Sequence, residues 1–155
     1  MKVSNRWCLT VFLLMMSLIA GCASVPMMSI DDDVKAKSFA VPTNKSSIYL
    51  YRNESFGSAS RLTVALDGKV VGQTGSKTYF LWEVDPGPHE VSSYFVDDST
   101  YRSTLKLNTD AGKAYFIWQE VTSLLSLIPL LQEVNDEMGR KGVAECNRAQ
   151  SNLNF

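Results

Sequence analysis

Asp67-Gly68 stands between two short runs, Leu62-Thr63-Val64-Ala65-Leu66 and Lys69-Val70-Val71-Gly72. An Asp-Gly pair in that place is a hairpin signal, because glycine takes the positive φ of a two-residue turn without a Cβ clash. The first run also alternates. Leu62, Val64 and Leu66 fall on one face, Thr63 and Ala65 on the other, which is the period of a strand. A chain with this unit in its middle is committed to β pairing there, and the question is how far the pattern extends.

It extends in both directions. Ser46–Arg52 is rich in β-branched and aromatic residues and predicts a strand, followed by a loop at Asn53–Ser58. Thr78–Val84 predicts another, closed by Asp85-Pro86-Gly87-Pro88, where proline presets φ at the first corner and glycine relieves the second. Val91–Val96 and Tyr101–Leu107 flank a turn at Asp97-Asp98-Ser99. After a turn around Gly112, Ala114–Val121 is apolar on both faces, as a central strand would be. Pro129 breaks the apolar stretch Leu124–Leu131 and makes it an edge strand or a packed loop, with Leu131–Val134 as a last strand. Asn135 reads as a helix N-cap with Asp136 and Glu137 in the first turn. Met138, Gly142, Cys146 and Ala149 then share one helical face. Gly139 and Gly142 each cost roughly 1 kcal/mol against alanine, so that helix depends on packing. The expected fold is mostly β: an antiparallel sandwich of about seven to eight strands over residues 46–150 with a short C-terminal helix, and a frayed tail at 151–155.

The N-terminus carries an address. Lys2 and Arg6 precede an apolar run from Trp7 to Ala20, and small residues end it. That order is a secretory signal, and the run is shorter than the roughly 20 residues of a spanning helix. Leu18-Ile19-Ala20-Gly21-Cys22 resembles the lipobox of bacterial lipoproteins. The resemblance implies cleavage between Gly21 and Cys22, removal of residues 1–21, and lipid on the thiol and amine of Cys22. Residue 23 is alanine, not aspartate, which implies by the same resemblance an outer-membrane lipoprotein facing the periplasm. Residues 22–45 hold Pro26, Pro42 and Asp31-Asp32-Asp33 with weak periodicity, and read as a tether with a short helical turn within Asp31–Phe39.

Charge and cysteine count bound the rest. The net charge is −1 and falls further when Lys2 and Arg6 leave with the signal, so the basic stripe of a nucleic-acid binder is lacking. Of three cysteines, Cys8 leaves and Cys22 is lipidated, so Cys146 has no intramolecular partner and is expected buried or paired between chains. One histidine and one free cysteine do not make a metal site, and no cofactor is expected beyond the lipid on Cys22.

Ile48-Tyr49-Leu50-Tyr51-Arg52-Asn53, Leu66-Asp67-Gly68-Lys69-Val70-Val71-Gly72, Val84-Asp85-Pro86-Gly87-Pro88-His89 and Ala111-Gly112-Lys113-Ala114-Tyr115-Phe116 together resemble a family of small bacterial lipoproteins whose shared region is a domain of unknown function, number 2846. The Asp-Gly-Lys hairpin followed by Pro-Gly-Pro-His is also similar to the small β-domains called PEGA. These motifs are turns and core strands. They imply a fold and bring no catalytic residues.

Several constellations are open to a chemical reading. His89 with Asp85 nearby is either a general base or a turn-stabilising histidine. Glu83, Glu90 and Glu120 would serve a glycosidase if two of them faced one cleft. Gly75-Ser76-Lys77-Thr78 lacks the lysine directly after glycine that a phosphate loop requires. Tyr49, Tyr51 and Trp82, if exposed, could stack on a glycan or a partner peptide. The leading expectation is a lipid-anchored, non-enzymatic binding or structural domain held at the membrane, with an envelope protein or glycan as partner. The alternatives are an envelope hydrolase using His89 and a strand carboxylate, and an assembly subunit pairing through an edge strand.

Overall fold

The computed structural model describes residues 25–55, 60–96, 98–121 and 129–153. Cys22, Gly21, the rest of the leader, the loop around Phe56–Ser58 and the apolar stretch Leu124–Ile128 lie outside the described residues.

Helix α1 (Ile30–Ala36) is followed by strands β1 (Ser46–Arg52), β2 (Leu62–Leu66), β3 (Lys69–Thr74), β4 (Thr78–Val84), β5 (Gly87–Phe95), β6 (Asp98–Thr109), β7 (Ala114–Val121) and β8 (Pro129–Val134), then helix α2 (Asp136–Ala144) and strand β9 (Asn147–Arg148). The strands form two sheets, one ordered β8-β7-β1-β4-β9 and the other β3-β2-β5-β6. The expected two-sheet β fold with a short C-terminal helix is what the chain adopts.

The expected hairpin is present. Asp67 and Gly68 both take positive φ, 50° and 78°, the conformation of a type I′ turn whose twist matches the flanking strands. The five-stranded sheet departs from the wholly antiparallel expectation. β1 runs antiparallel to β4 but parallel to β7, with Ser47 opposite Ala114 and Tyr51 opposite Trp118. The cause is the entry point of β7. The chain crosses from β6 in the second sheet to Lys113, whose carbonyl accepts the Ser47 amide at 3.0 Å, so β7 starts beside the start of β1. Pro129 is the first residue of β8 at that sheet's outer edge, where its missing N–H breaks no ladder.

Alternation sets two apolar layers. Ile48, Leu50, Val64, Leu66, Phe80, Trp82 and Ile117 fill the space between the sheets. Tyr49, Tyr51, Tyr79 and Phe116 point to the other face of the five-stranded sheet, under Phe39, Ala36, Val143 and Cys146. Asn135 caps α2 by accepting the Met138 amide at 2.9 Å.

Polar side chains tie the layers together. Gln119 on β7 is fully buried; its Nε2 donates to Ser93 Oγ and its Oε1 accepts from Thr74 Oγ1, each at 2.6 Å. One amide thus joins the two sheets, with both partners on the opposite one. At the end of β1, Arg52 is fully buried against Glu54 and donates to the Ser60 carbonyl at 2.9 Å.

Two segments differ from expectation. Residues 25–45, read as tether, are docked on the domain. Val25 is buried in the inter-sheet core, Met27 bridges Ala149, and the Tyr49 hydroxyl donates to the Ala36 carbonyl at 2.9 Å. A few anchors spaced along the segment hold it, and these leave no periodic trace. The tail, read as frayed from Ser151, is fastened through Leu153. The Asn152 amide donates to Val71 O at 2.7 Å and Trp82 Nε1 donates to Ser151 Oγ at 3.2 Å.

Candidate functional site

His89 lies where the Asp67-Gly68 hairpin meets the Asp85-Pro86 turn. Its Nδ1 is 2.8 Å from Asp67 Oδ2 and its Nε2 is 2.7 Å from the Asp85 carbonyl oxygen. Both partners are acceptors, so the two contacts are satisfied together when both ring nitrogens carry a proton. Burial alone would lower its pKa, but the Asp85 carbonyl and then the Asp67 carboxylate outweigh it and hold the pKa above the ordinary histidine value. The other Asp67 oxygen accepts the Glu90 amide at 2.8 Å. A ring with both nitrogens donating has no lone pair with which to take a proton. His89 joins two turns, and the general-base arrangement is not built here.

The carboxylates do not converge. Glu90 is on the four-stranded sheet, 4.0 Å from Lys106. Glu83 lies opposite Ser47 at the beginning of β1, whereas Glu120 lies past the Tyr51–Trp118 pair at its end. The aromatic face is corrected outright: Tyr49, Tyr51 and Trp82 are 0%, 3% and 1% exposed. They alternate across a sheet covered on both sides, so each ring finds a core. Burial pushes the Tyr49 and Tyr51 phenols up to about 12. Cys146 is buried too, with its thiol pushed up to about 12 chiefly by burial.

Among the described residues, a half-open groove of about 700 Å³ lies beside β4. Its floor holds Leu81 and Glu83, and its walls carry Lys35, Pro42, Arg148 and Leu153. It is lined by the docked N-terminal segment and by the C-terminal segment, which meet where Met27 bridges Ala149. Helix α1 stands over it through the Arg148 amide, which donates to Asp33 Oδ1 at 2.9 Å. β9 pairs with β4 only at Thr78 and Tyr79. Beyond them, the outward edge of β4 at Leu81–Val84 has no strand beside it among the described residues. The groove therefore offers apolar surface, charges of both signs and a stretch of strand edge. An extended polypeptide uses all three. Sequence reading missed this site because two of its walls come from segments read as tether and tail.

Comparison with known proteins adds family membership. Residues 42–127 match the family described as protein of unknown function, DUF2846. The chain belongs to that family. A Haemophilus influenzae protein titled only as uncharacterized is 30% identical over 137 residues, covering 86% of this chain and 79% of that protein. The DUF2846 match runs from the lead-in of β1 past the end of β7, and so contains the His89 junction, the Gln119 tie and the floor of the groove at Leu81 and Glu83. Except for Pro42, the groove walls lie outside the matched range.

Proposed function

We propose that this protein is a lipid-anchored protein of the bacterial envelope, held in the outer membrane through Cys22 and facing the periplasm, whose β domain binds an extended segment of an envelope partner without catalysing a reaction. The observation that carries the binding role is the stretch of β4 at Leu81–Val84, which has no strand along its outward edge among the described residues and contributes Leu81 and Glu83 to the groove. The sequence Leu18–Cys22 supports the anchor. Anchoring confines the domain to a surface and raises its effective concentration for anything displayed there. The His89 geometry, with both nitrogens committed to acceptors, argues against the hydrolase alternative.

The test uses the full chain in cells. A photo-crosslinking residue is placed at Glu83 and, separately, at Lys106 on the other sheet. A discrete adduct from position 83 that position 106 does not give is the expected result. Equal labelling from both positions, or a reaction catalysed by the purified protein and lost on His89→Ala, would overturn the reading. The anchor is checked separately. Cys22→Ser is expected to leave the signal uncleaved, so that the protein keeps its higher precursor mass; membrane-bound protein at the normal mature mass would overturn the anchor.

A further inference from the structure

We propose that the face formed by Met27, Ile30 and Val34 lies against the phospholipid surface that holds the anchor; this rests on the reading of Cys22 as the lipidated residue. Three observations converge on it. The first is the distance along the chain. Val25 is buried between the sheets and Met27 is bridged to Ala149, so the folded body begins three residues after Cys22. Three extended steps span at most about 11 Å, and Met27 is at most about 18 Å from Cys22. The domain therefore sits at the membrane rather than on a long leash.

The second observation is exposure. Met27, Ile30 and Val34 are 39%, 82% and 65% exposed, and they follow directly on that short connection. Ile30 and Val34 are four residues apart and share one face of α1. Among the described residues they stay exposed, although Ala36 of the same helix is buried.

The third is charge. Asp31-Asp32-Asp33 would make an acidic face that an anionic bilayer repels, yet two of the three carboxylates are turned to internal partners. Asp32 accepts the Ser29 hydroxyl at 2.6 Å; Asp33 pairs with Lys37 at 2.7 Å and accepts the Arg148 amide. Asp31 is left with Lys35 one turn along, opposite charges beside an apolar strip. That arrangement fits a surface of zwitterionic headgroups, where apolar side chains enter the boundary and charges stay among the headgroups. The strip is too small to attach a lipid-free domain. Its effect is orientation, and it fixes which side of the domain faces away from the membrane.

The test uses the mature lipidated protein in phosphatidylcholine vesicles. Mass spectrometry of the N-terminal peptide first establishes the lipid on Cys22. An environment-sensitive fluorophore is then attached through Val34→Cys or, on the other sheet, through Lys106→Cys; Cys146 is buried and Cys22 is blocked by its lipid. The expected result is a blue-shifted probe at 34, quenched at least several-fold more by nitroxide-bearing lipids than the probe at 106. Ile30→Glu is expected to reduce the quenching at 34 with the lipid still in place. Equal quenching at both positions in a protein shown to be lipidated would overturn the orientation alone. An unlipidated Cys22 would overturn the anchor reading, and this proposal with it.

Discussion

Gly142 of α2 lies directly on the ring of Tyr51, and no space for a side chain is left between helix and ring; Gly139 meets Phe116 in the same way. The two glycines, unfavourable in a helix, let α2 approach the sheet until its backbone touches aromatic rings. Both rings project from strands in the middle of the sheet and are buried.

Gly142→Ala therefore sets two effects of opposite sign against each other. Helix propensity favours alanine by about 1 kcal/mol. Overlap with a buried ring that strand β1 holds in place costs about 1–3 kcal/mol or more. With the new Cβ inside the ring's own volume, the second effect is expected to win, giving a net loss of at least about 1 kcal/mol in urea unfolding. Lys141→Ala, on the exposed side of the same helix, is expected to stay within about 0.5 kcal/mol. A stabilised Gly142→Ala protein would show that the helix stands further from the sheet.

The His89 junction makes stability depend on pH. Its pKa is higher folded than unfolded, so its contribution is complete below the unfolded value of about 6.5 and is lost as pH rises through the folded value. The difference in Tm between the protein and His89→Gln is expected to be largest near pH 6 or below and to shrink toward pH 9. The chain has one histidine, so a proton NMR titration reads it without assignment. A midpoint below 6.5 would contradict the double-donor geometry.

Arg52 and Glu54 form a pair in which the arginine is fully buried and the carboxylate is 16% exposed. Burial raises the Glu54 carboxyl pKa, and the Val121 amide and Arg52 oppose the rise. Removing one partner strands the other, so Arg52→Ala is expected to cost about 3–5 kcal/mol. Arg52→Met combined with Glu54→Leu is expected to cost less than the two single losses summed, because neither charge is left alone. Additive losses in a double-mutant cycle would show that the pair does not act as a unit.

Cys146 is 1% exposed, and burial pushes its thiol up to about 12. In a chain lacking residues 1–22 it is the only thiol. It is expected to stay inert to a thiol reagent at pH 8 in the folded protein and to react fully in denaturant. Rapid modification of the native protein would show that α2 opens readily.

What could be read from the sequence follows from how locally each feature is determined. The Asp67-Gly68 turn and the Asn135 cap are legible because neighbouring backbone groups satisfy them. The strand content is legible because alternation reports two faces. Sheet partners are chosen through space, and nothing in Ala114–Val121 says that it will run parallel to β1. The N-terminal segment was opaque for a related reason. Val25, Ala36 and Phe39 each dock by themselves, and isolated contacts have no period. The groove depends on that segment and was hidden with it. The aromatic residues show the converse. Their β preference is legible, but exposure is decided by what covers a sheet, and Tyr49 and Tyr51 are covered by helices.

The pairing of Met27 with Ala149, reinforced by the Gln150 amide donating to Pro26 O at 2.8 Å, stitches one end of the polypeptide to the other. A clasp of this kind closes only when residues 149 and 150 have been made. Because a chain is made from its N-terminus, Val25 and Met27 wait without these partners until Ala149 and Gln150 follow. Removal of Ala149 and Gln150 would thus be felt more than a hundred residues away in sequence, at Pro26 and Met27.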